Sequence, residues 1–150
     1  MNIPQLKTEE WIEVLEPFQQ SLLNSLLREH TEEEALQIWF QVSGPEYTKT
    51  FGGNRIKDYL KNLKVEFNKL ILGDEKYRNK IKEFNEHTKI TKFFVVSFLS
   101  SVLAESLGVA SGIIAPLIVL LLGTIGKIGL EAYKNLISKK EENEDKTNNK

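Results

Sequence analysis

The chain has 150 residues, with 20 Lys and Arg against 21 Asp and Glu, and it contains no cysteine. This length is ordinary for one domain, and the missing cysteines exclude a disulfide framework and thiolate chemistry. The N-terminus, MNIPQLKTEEW, has neither the basic start nor the apolar stretch of a signal peptide, so we expect the soluble part to be cytoplasmic.

Charge is distributed unevenly along the chain. Residues 1–54 carry three basic and nine acidic side chains, residues 55–92 carry eleven and six, and residues 93–150 carry six of each. An acidic, a basic and a neutral apolar block therefore follow one another. The first two blocks are either halves of one bundle with complementary surfaces, or the basic block faces anionic lipid.

The first two amphipathic helices are predicted from apolar spacing and end signals. Residues 8–29 place apolar side chains at steps of three and four, and Pro17 predicts either a kink or a helix that begins near Glu16. Thr31 and Glu34 match a capping box, which predicts that a second helix starts at Thr31. Ser43-Gly44-Pro45 should end it.

A third and a fourth amphipathic helix follow. The third is predicted from Asn54 to about Leu72 and is stopped by Gly73, and Asp74 is a fitting N-cap for the fourth. No segment alternates with the period of a strand. The sequence therefore predicts an all-α fold, with a small bundle of about four amphipathic helices before the apolar region.

Residues 93–126 carry a single formal charge, Glu105. In one arrangement, a turn at Gly108 to Gly112 joins a helix of about fifteen residues to a second one from Ile113 to about Ser138, with Ser111 as N-cap. In the other, one helix crosses a membrane from Ser106 to Gly126, a length that about 30 Å of hydrocarbon requires. Lysines flank both ends about equally, which favours the hairpin.

These patterns divide the chain into three parts. We predict an amphipathic helical domain over 1–90, an apolar helical hairpin in a membrane or a buried core over 91–138, and a disordered charged tail over 139–150. The tail reads KKEENEDKTNNK and is too polar to bury a core.

Two sets of residues in and beside the hairpin are candidates for function. Small residues recur along one side of the first apolar helix and into the second, which is a common way for helices to associate. We call them the small-residue seam: Ser97, Ser101, Ala104, Gly108, Ser111, Gly112 and Ala115. Basic residues directly before the hairpin form a collar suited to anionic lipid: Lys76, Arg78, Lys80, Lys82, Lys89 and Lys92. Glu105 is predicted at the hairpin tip or inside a pore, where a charge is costly and turns toward protein or water.

No motif indicates a reaction or a cofactor. The two histidines, His30 and His87, stand at predicted helix ends, and no zinc or phosphate-binding motif occurs. We therefore expect no enzyme activity, no cofactor and no metal. The basic helices lack interleaved exposed aromatics, which disfavours nucleic acid.

The sequence favours a membrane-associated helical protein at the inner membrane, with its N-terminal domain in the cytoplasm. Membrane lipid, further copies of the chain and an unknown protein are the expected partners, and the hypothesis is a self-associating, membrane-perturbing effector or a membrane anchor for a partner. The alternative is a soluble cytoplasmic interaction module whose hairpin is the core of its own bundle, because helices that are apolar all round also occur in soluble cores.

Overall fold

Helices form most of the described chain. The structure is a computed structural model that describes residues 1–43 and 53–148, with side chains placed for all of these except 53–54 and 145–148. Its helices are α1 (Thr8–Ile12), α2 (Pro17–Glu29), α3 (Glu32–Ser43), α4 (Gly53–Leu72), α5 (Arg78–Glu86), α6 (Lys92–Leu107), α7 (Ser111–Ile128) and α8 (Leu130–Asn148). A 3₁₀ turn, Glu75–Tyr77, precedes α5, and no strand occurs in these residues. The prediction of an all-α fold is confirmed.

The N-terminal helices follow their sequence signals. Pro17 is the first residue of α2, where its missing N–H costs nothing, so the chain forms a separate short α1 and a helix that begins just after Glu16. The capping box of α3 is present: the Glu34 N–H donates to Thr31 Oγ1 at 3.2 Å, and the Thr31 N–H donates to the Glu34 carboxylate at 3.5 Å. The loop expected after Ser43 falls on residues 44–52, outside the described residues.

The end of α4 matches its prediction, but the expected N-cap role of Asp74 for α5 is wrong, because Tyr77 is the N-cap of α5. Gly73 has a φ of 80°, the left-handed conformation that ends α4. Asp74 then accepts a hydrogen bond from the Lys76 N–H at 2.9 Å, so it caps the 3₁₀ turn that leads into α5.

The apolar region forms the predicted hairpin, with two corrections at its ends. Gly108 has a φ of 70° and ends α6, and α7 begins three residues later. Ser111 is the first residue of α7 and Ala110 is its N-cap, so the expected N-cap role of Ser111 is wrong. The second arm stops at Ile128 because Gly129 adopts a φ of 89°, and the chain continues as the separate helix α8.

Helix α7 lies at the centre of the bundle. It packs against α1, α3, α6 and α8, and its buried residues belong to one continuous apolar cluster with those of the N-terminal helices. Half of its 18 residues are buried inside the protein. Among the described residues it is also the one helix long and apolar enough to cross a membrane.

The residues after 138 form the C-terminal end of the described chain. They continue α8 as far as Asn148, although the side chains of residues 139–144 are all exposed. Lys and Glu are good helix formers, so helix propensity supports this extension although residues 139–144 are exposed.

Candidate functional site

The small-residue seam lies mainly on the outside of the bundle. Within it, Ala104 is buried and Ala115 is half-buried, while the other five members are exposed. A Cβ added at Gly108 or Gly112 would have no atom of the described residues within 4 Å, so there is open space directly above both glycines. The seam residues remain a predicted association surface, now on a face open to solvent.

A groove of about 390 Å³ runs beside the exposed part of the seam. The α1–α2 connection with Glu16 and the first turn of α2 with Gln19 form one wall, and α6 and the start of α7 form the other. Its small polar lining residues are Ser97, Ser100, Ser101, Ser111 and Gly112, and we call it the serine groove.

Ser100 is the buried polar residue of this groove. Only 3 % of its surface is exposed, and its Oγ has no hydrogen-bond partner among the described residues. A buried hydroxyl without a partner is unfavourable by about 1–3 kcal/mol. The first turn of α7 enters the same groove with no side chain capping its N–H groups. The groove therefore contains one buried hydroxyl, that of Ser100, to which no described residue hydrogen-bonds.

Glu105 is on the surface of the hairpin, near the end that turns. Its side chain is 74 % exposed and lies 3.7 Å from the Lys80 Nζ. A carboxylate in this position keeps its water and has a cation nearby, so this fold imposes little cost on its charge.

The residues of the basic collar lie in the 3₁₀ turn, α5, the α5–α6 connection and the start of α6, and four of them contact carboxylates. Lys92 donates to Glu13 at 2.7 Å, and Lys76 donates to Glu66 at 3.0 Å. Lys80 lies near Glu83 and Glu105, and Arg78 lies 3.5 Å from Glu75.

The other two collar residues, Lys82 and Lys89, are exposed, and no carboxylate lies within 4 Å of either among the described residues. Carboxylates of the same chain therefore balance most of the positive charge of the collar.

Glu66 connects three elements through polar contacts. Its carboxylate accepts hydrogen bonds from Lys69 at 3.3 Å, from Lys76 and from the Tyr77 hydroxyl. The Tyr77 oxygen in turn accepts from the Ser106 hydroxyl, with the two oxygens 3.1 Å apart. Burial acts to raise the pKa of Glu66, but the hydrogen bonds from Tyr77, Lys76 and Lys69 together hold it below its usual value. This cluster fixes α4, the 3₁₀ turn and α6 to one another.

The N-terminal segment covers one side of α7, which the sequence did not predict. The side chain of Gln5 donates to the Gly126 carbonyl at 3.0 Å. A Cβ at Gly126 would lie 2.9 Å from the carbonyl carbon of Leu6, and one at Gly123 would lie 2.9 Å from Thr8 Cβ. Real Cβ atoms do not approach so closely, so these glycines are required by the contact.

Two further side chains bind the first turn of α7. Gln19 Nε2 donates to the Gly112 carbonyl at 2.9 Å, and Trp39 Nε1 donates to the Ile113 carbonyl, also at 2.9 Å. Pro116 is the signal that was available in the sequence, because a proline leaves the carbonyl four residues earlier without its helical partner. The sequence does not indicate which distant donor replaces it.

The histidines lie at helix ends, as predicted. His30 ends α2 beside Glu34, at 3.5 Å, and the ring of His87 lies 2.9 Å from the Glu83 carbonyl. In the described part of the chain, no three His, Asp or Glu side chains are grouped so that they would hold a metal ion.

The fold and the site define an all-α bundle with an exposed small-residue groove and a central apolar hairpin. No protein family, no curated protein and no solved structure matches this chain.

Proposed function

We propose that the protein is a non-enzymatic helical interaction module that encloses its apolar hairpin and stays soluble in the cytoplasm. The observation that carries this proposal is the close packing of Thr8 on Gly123 and of the Leu6 backbone on Gly126. Such a contact is specific to this fold and would be lost if α7 were surrounded by lipid. Partners would then bind the outer surface, where the small-residue seam is exposed.

The polar contacts of the hairpin support the same proposal. Gln5, Gln19 and Trp39 all donate to carbonyls of α7 from other parts of the chain. In a bilayer these side chains would have to leave their acceptors or enter the hydrocarbon with them, and unpaired polar groups are costly there. The collar residues Lys76 and Lys92 are likewise engaged with Glu66 and Glu13 and are not free for lipid phosphates.

Membrane association is the second candidate, and the length and apolarity of α7 favour it. In this case the hairpin would leave the bundle and enter the cytoplasmic face of the inner membrane, and the protein would act as a membrane-perturbing effector or as an anchor for a partner. Lys89 and Lys92 before the hairpin and Lys127 after it would then lie at the lipid surface.

Membrane fractionation with a carbonate wash distinguishes the two candidates. Enclosure of the hairpin predicts full recovery in the soluble fraction and a single sharp peak in size-exclusion chromatography without detergent. Recovery in the carbonate-resistant pellet would overturn the proposal and support the membrane candidate.

A matched pair of variants makes the test sharper. Gly126→Leu forces a side chain into the Leu6 backbone and should uncover the hairpin, which would move protein from the soluble fraction into detergent or aggregates. Gly112→Leu adds the same side chain where nothing lies within 4 Å and should remain soluble. Equal behaviour of the two variants would contradict a hairpin held by its N-terminal cover.

A further inference from the structure

The solvent-facing side of α6 has an unusual composition. Phe93, Ser97, Ser101 and Glu105 follow one another at four-residue steps, and all four are exposed. Phe93 is 56 % exposed. The exposed stripe of α6 therefore begins with a large apolar ring, continues over two small residues and ends with a carboxylate.

The serine groove lies directly beside the small residues of this stripe. Ser97 and Ser101 line it, as does the buried Ser100 whose hydroxyl has no partner among the described residues. At about 390 Å³ the groove is large enough for a phenyl ring. Phe93 stands one helical turn before Ser97, about 6 Å along the helix, and it does not line the groove of its own chain.

Opposite charges stand at the two ends of the stripe. Lys89 precedes α6 and has no carboxylate within 4 Å among the described residues. Glu105 near the other end lies 3.7 Å from the Lys80 Nζ of its own chain, and its side chain is still 74 % exposed. Lys89 and Glu105 are 16 residues apart, so they do not pair within one chain. Antiparallel packing of two such stripes brings each lysine toward the other copy's glutamate.

We propose that the exposed stripe of α6 is a two-fold interface with a second copy of this chain. The two helices pack antiparallel, Phe93 of each copy enters the serine groove of the other, and Lys89 of each copy faces the other's Glu105. A two-fold axis makes both contacts occur twice, because the same surface meets itself. This inference rests on the proposed function, since it requires the folded, soluble bundle.

The interface is small, so the dimer is weak. One helix face and a groove bury less than the roughly 1,200–2,000 Å² of a stable complex. Sedimentation equilibrium between about 10 μM and 1 mM is therefore the appropriate measurement, and it should show a reversible monomer–dimer equilibrium. A monomer throughout that range would overturn the proposal.

Removal of the aromatic ring tests the contact with the groove. Phe93→Ser should raise the dimer dissociation constant by at least about 30-fold, as expected for a buried aromatic anchor. The matched control is Val65→Ser, which removes an exposed apolar side chain (41 % exposed) from α4 and should leave the constant unchanged. Equal effects of both variants would indicate general hydrophobic contact and would overturn the assigned interface.

Charge reversal tests the antiparallel direction. Lys89→Glu and Glu105→Lys should each raise the dissociation constant by about 10-fold at low salt, because each change affects two symmetric pairs. The double variant should restore the affinity of the original chain, which loss of folding would not do. The proposed dimer is wrong if the double variant has a dissociation constant as high as those of the single variants. It is also wrong if a different partner binds at Phe93 while the chain alone stays monomeric. Membrane recovery in the fractionation experiment would instead overturn the soluble module itself.

Discussion

The side-chain amide of Gln19 donates to the carbonyl of Gly112 at 2.9 Å, four residues before a proline in the middle of the apolar hairpin. That proline, Pro116, has no N–H to offer the carbonyl. A residue of α2 therefore supplies the hydrogen bond that the helix itself cannot form, and this ties the N-terminal helices to the hairpin.

Loss of this donor should destabilise the fold. Gln19→Ala is expected to lower the free energy of unfolding by about 1 kcal/mol, measured by urea denaturation, because it removes one intramolecular hydrogen bond. The control is the same change in a Pro116→Ala background, where the alanine N–H is available to the Gly112 carbonyl. The cost of Gln19→Ala should be smaller there, and an equal cost in both backgrounds would contradict this account.

The glycines of the hairpin should respond differently to alanine. Gly126→Ala places a Cβ against the backbone of Leu6 and should cost about 1–3 kcal/mol of unfolding free energy, as overpacking does. Gly112→Ala has open space and lies within α7, so it should be neutral or stabilising by up to about 1 kcal/mol. Thermal and urea denaturation of the two single variants measure the difference. A similar loss in both would show that Gly126 is not needed for the N-terminal contact.

Local signals in the sequence were sufficient to predict the helices and the hairpin turn. The capping box at Thr31, the first-turn proline at Pro17 and the left-handed Gly108 each act within a few residues, so they can be read without the fold. The end of α7 at Gly129 was missed because the apolar pattern continues past it. A single glycine within an apolar run ends a helix only when the backbone adopts a positive φ there.

The surroundings of the hairpin were not predictable in the same way. Two pairs of small residues look alike in the sequence, Ser97 with Ser101 and Gly123 with Gly126. The first pair is exposed, whereas the second lies beneath the N-terminal segment. Which of them is covered depends on contacts more than one hundred residues apart, such as that between Gln5 and Gly126. The periodicity of one helix contains no information about its distant neighbours.

The Glu66 cluster predicts a dependence of stability on acid. The pKa of Glu66 is lower in the folded chain, so the folded state favours the ionised carboxylate. The stability that this ionised carboxylate contributes is fully present above the ordinary glutamate pKa. It is lost as the pH falls through the lower pKa of Glu66 in the folded state. The free energy of unfolding should therefore decrease below about pH 4.5, and less steeply in Glu66→Gln. Urea denaturation at a series of pH values measures both slopes, and parallel slopes would contradict the assignment.

Tyr133 predicts a second dependence, at alkaline pH. Burial raises the pKa of its hydroxyl to about 12, and the hydroxyl donates to Asn68 Oδ1 at 2.7 Å. The folded state thus favours the neutral phenol, so this contribution to stability is complete below about pH 10 and is lost as the pH rises toward 12. A shift of this size corresponds to about 2–3 kcal/mol at most.

Tyr133→Phe isolates this effect because it keeps the aromatic ring, which packs edge-on against Phe67 with the two ring centroids 6.3 Å apart. The variant loses the hydrogen bond to Asn68 and should be about 1 kcal/mol less stable at neutral pH. Between pH 10 and 12 its stability should fall less than that of the original chain, since phenylalanine does not ionise, so the two curves should converge. The deprotonation of lysines affects both proteins equally. A constant difference in unfolding free energy between the two proteins across this range would show that Tyr133 ionises as readily in the folded chain as in the unfolded one.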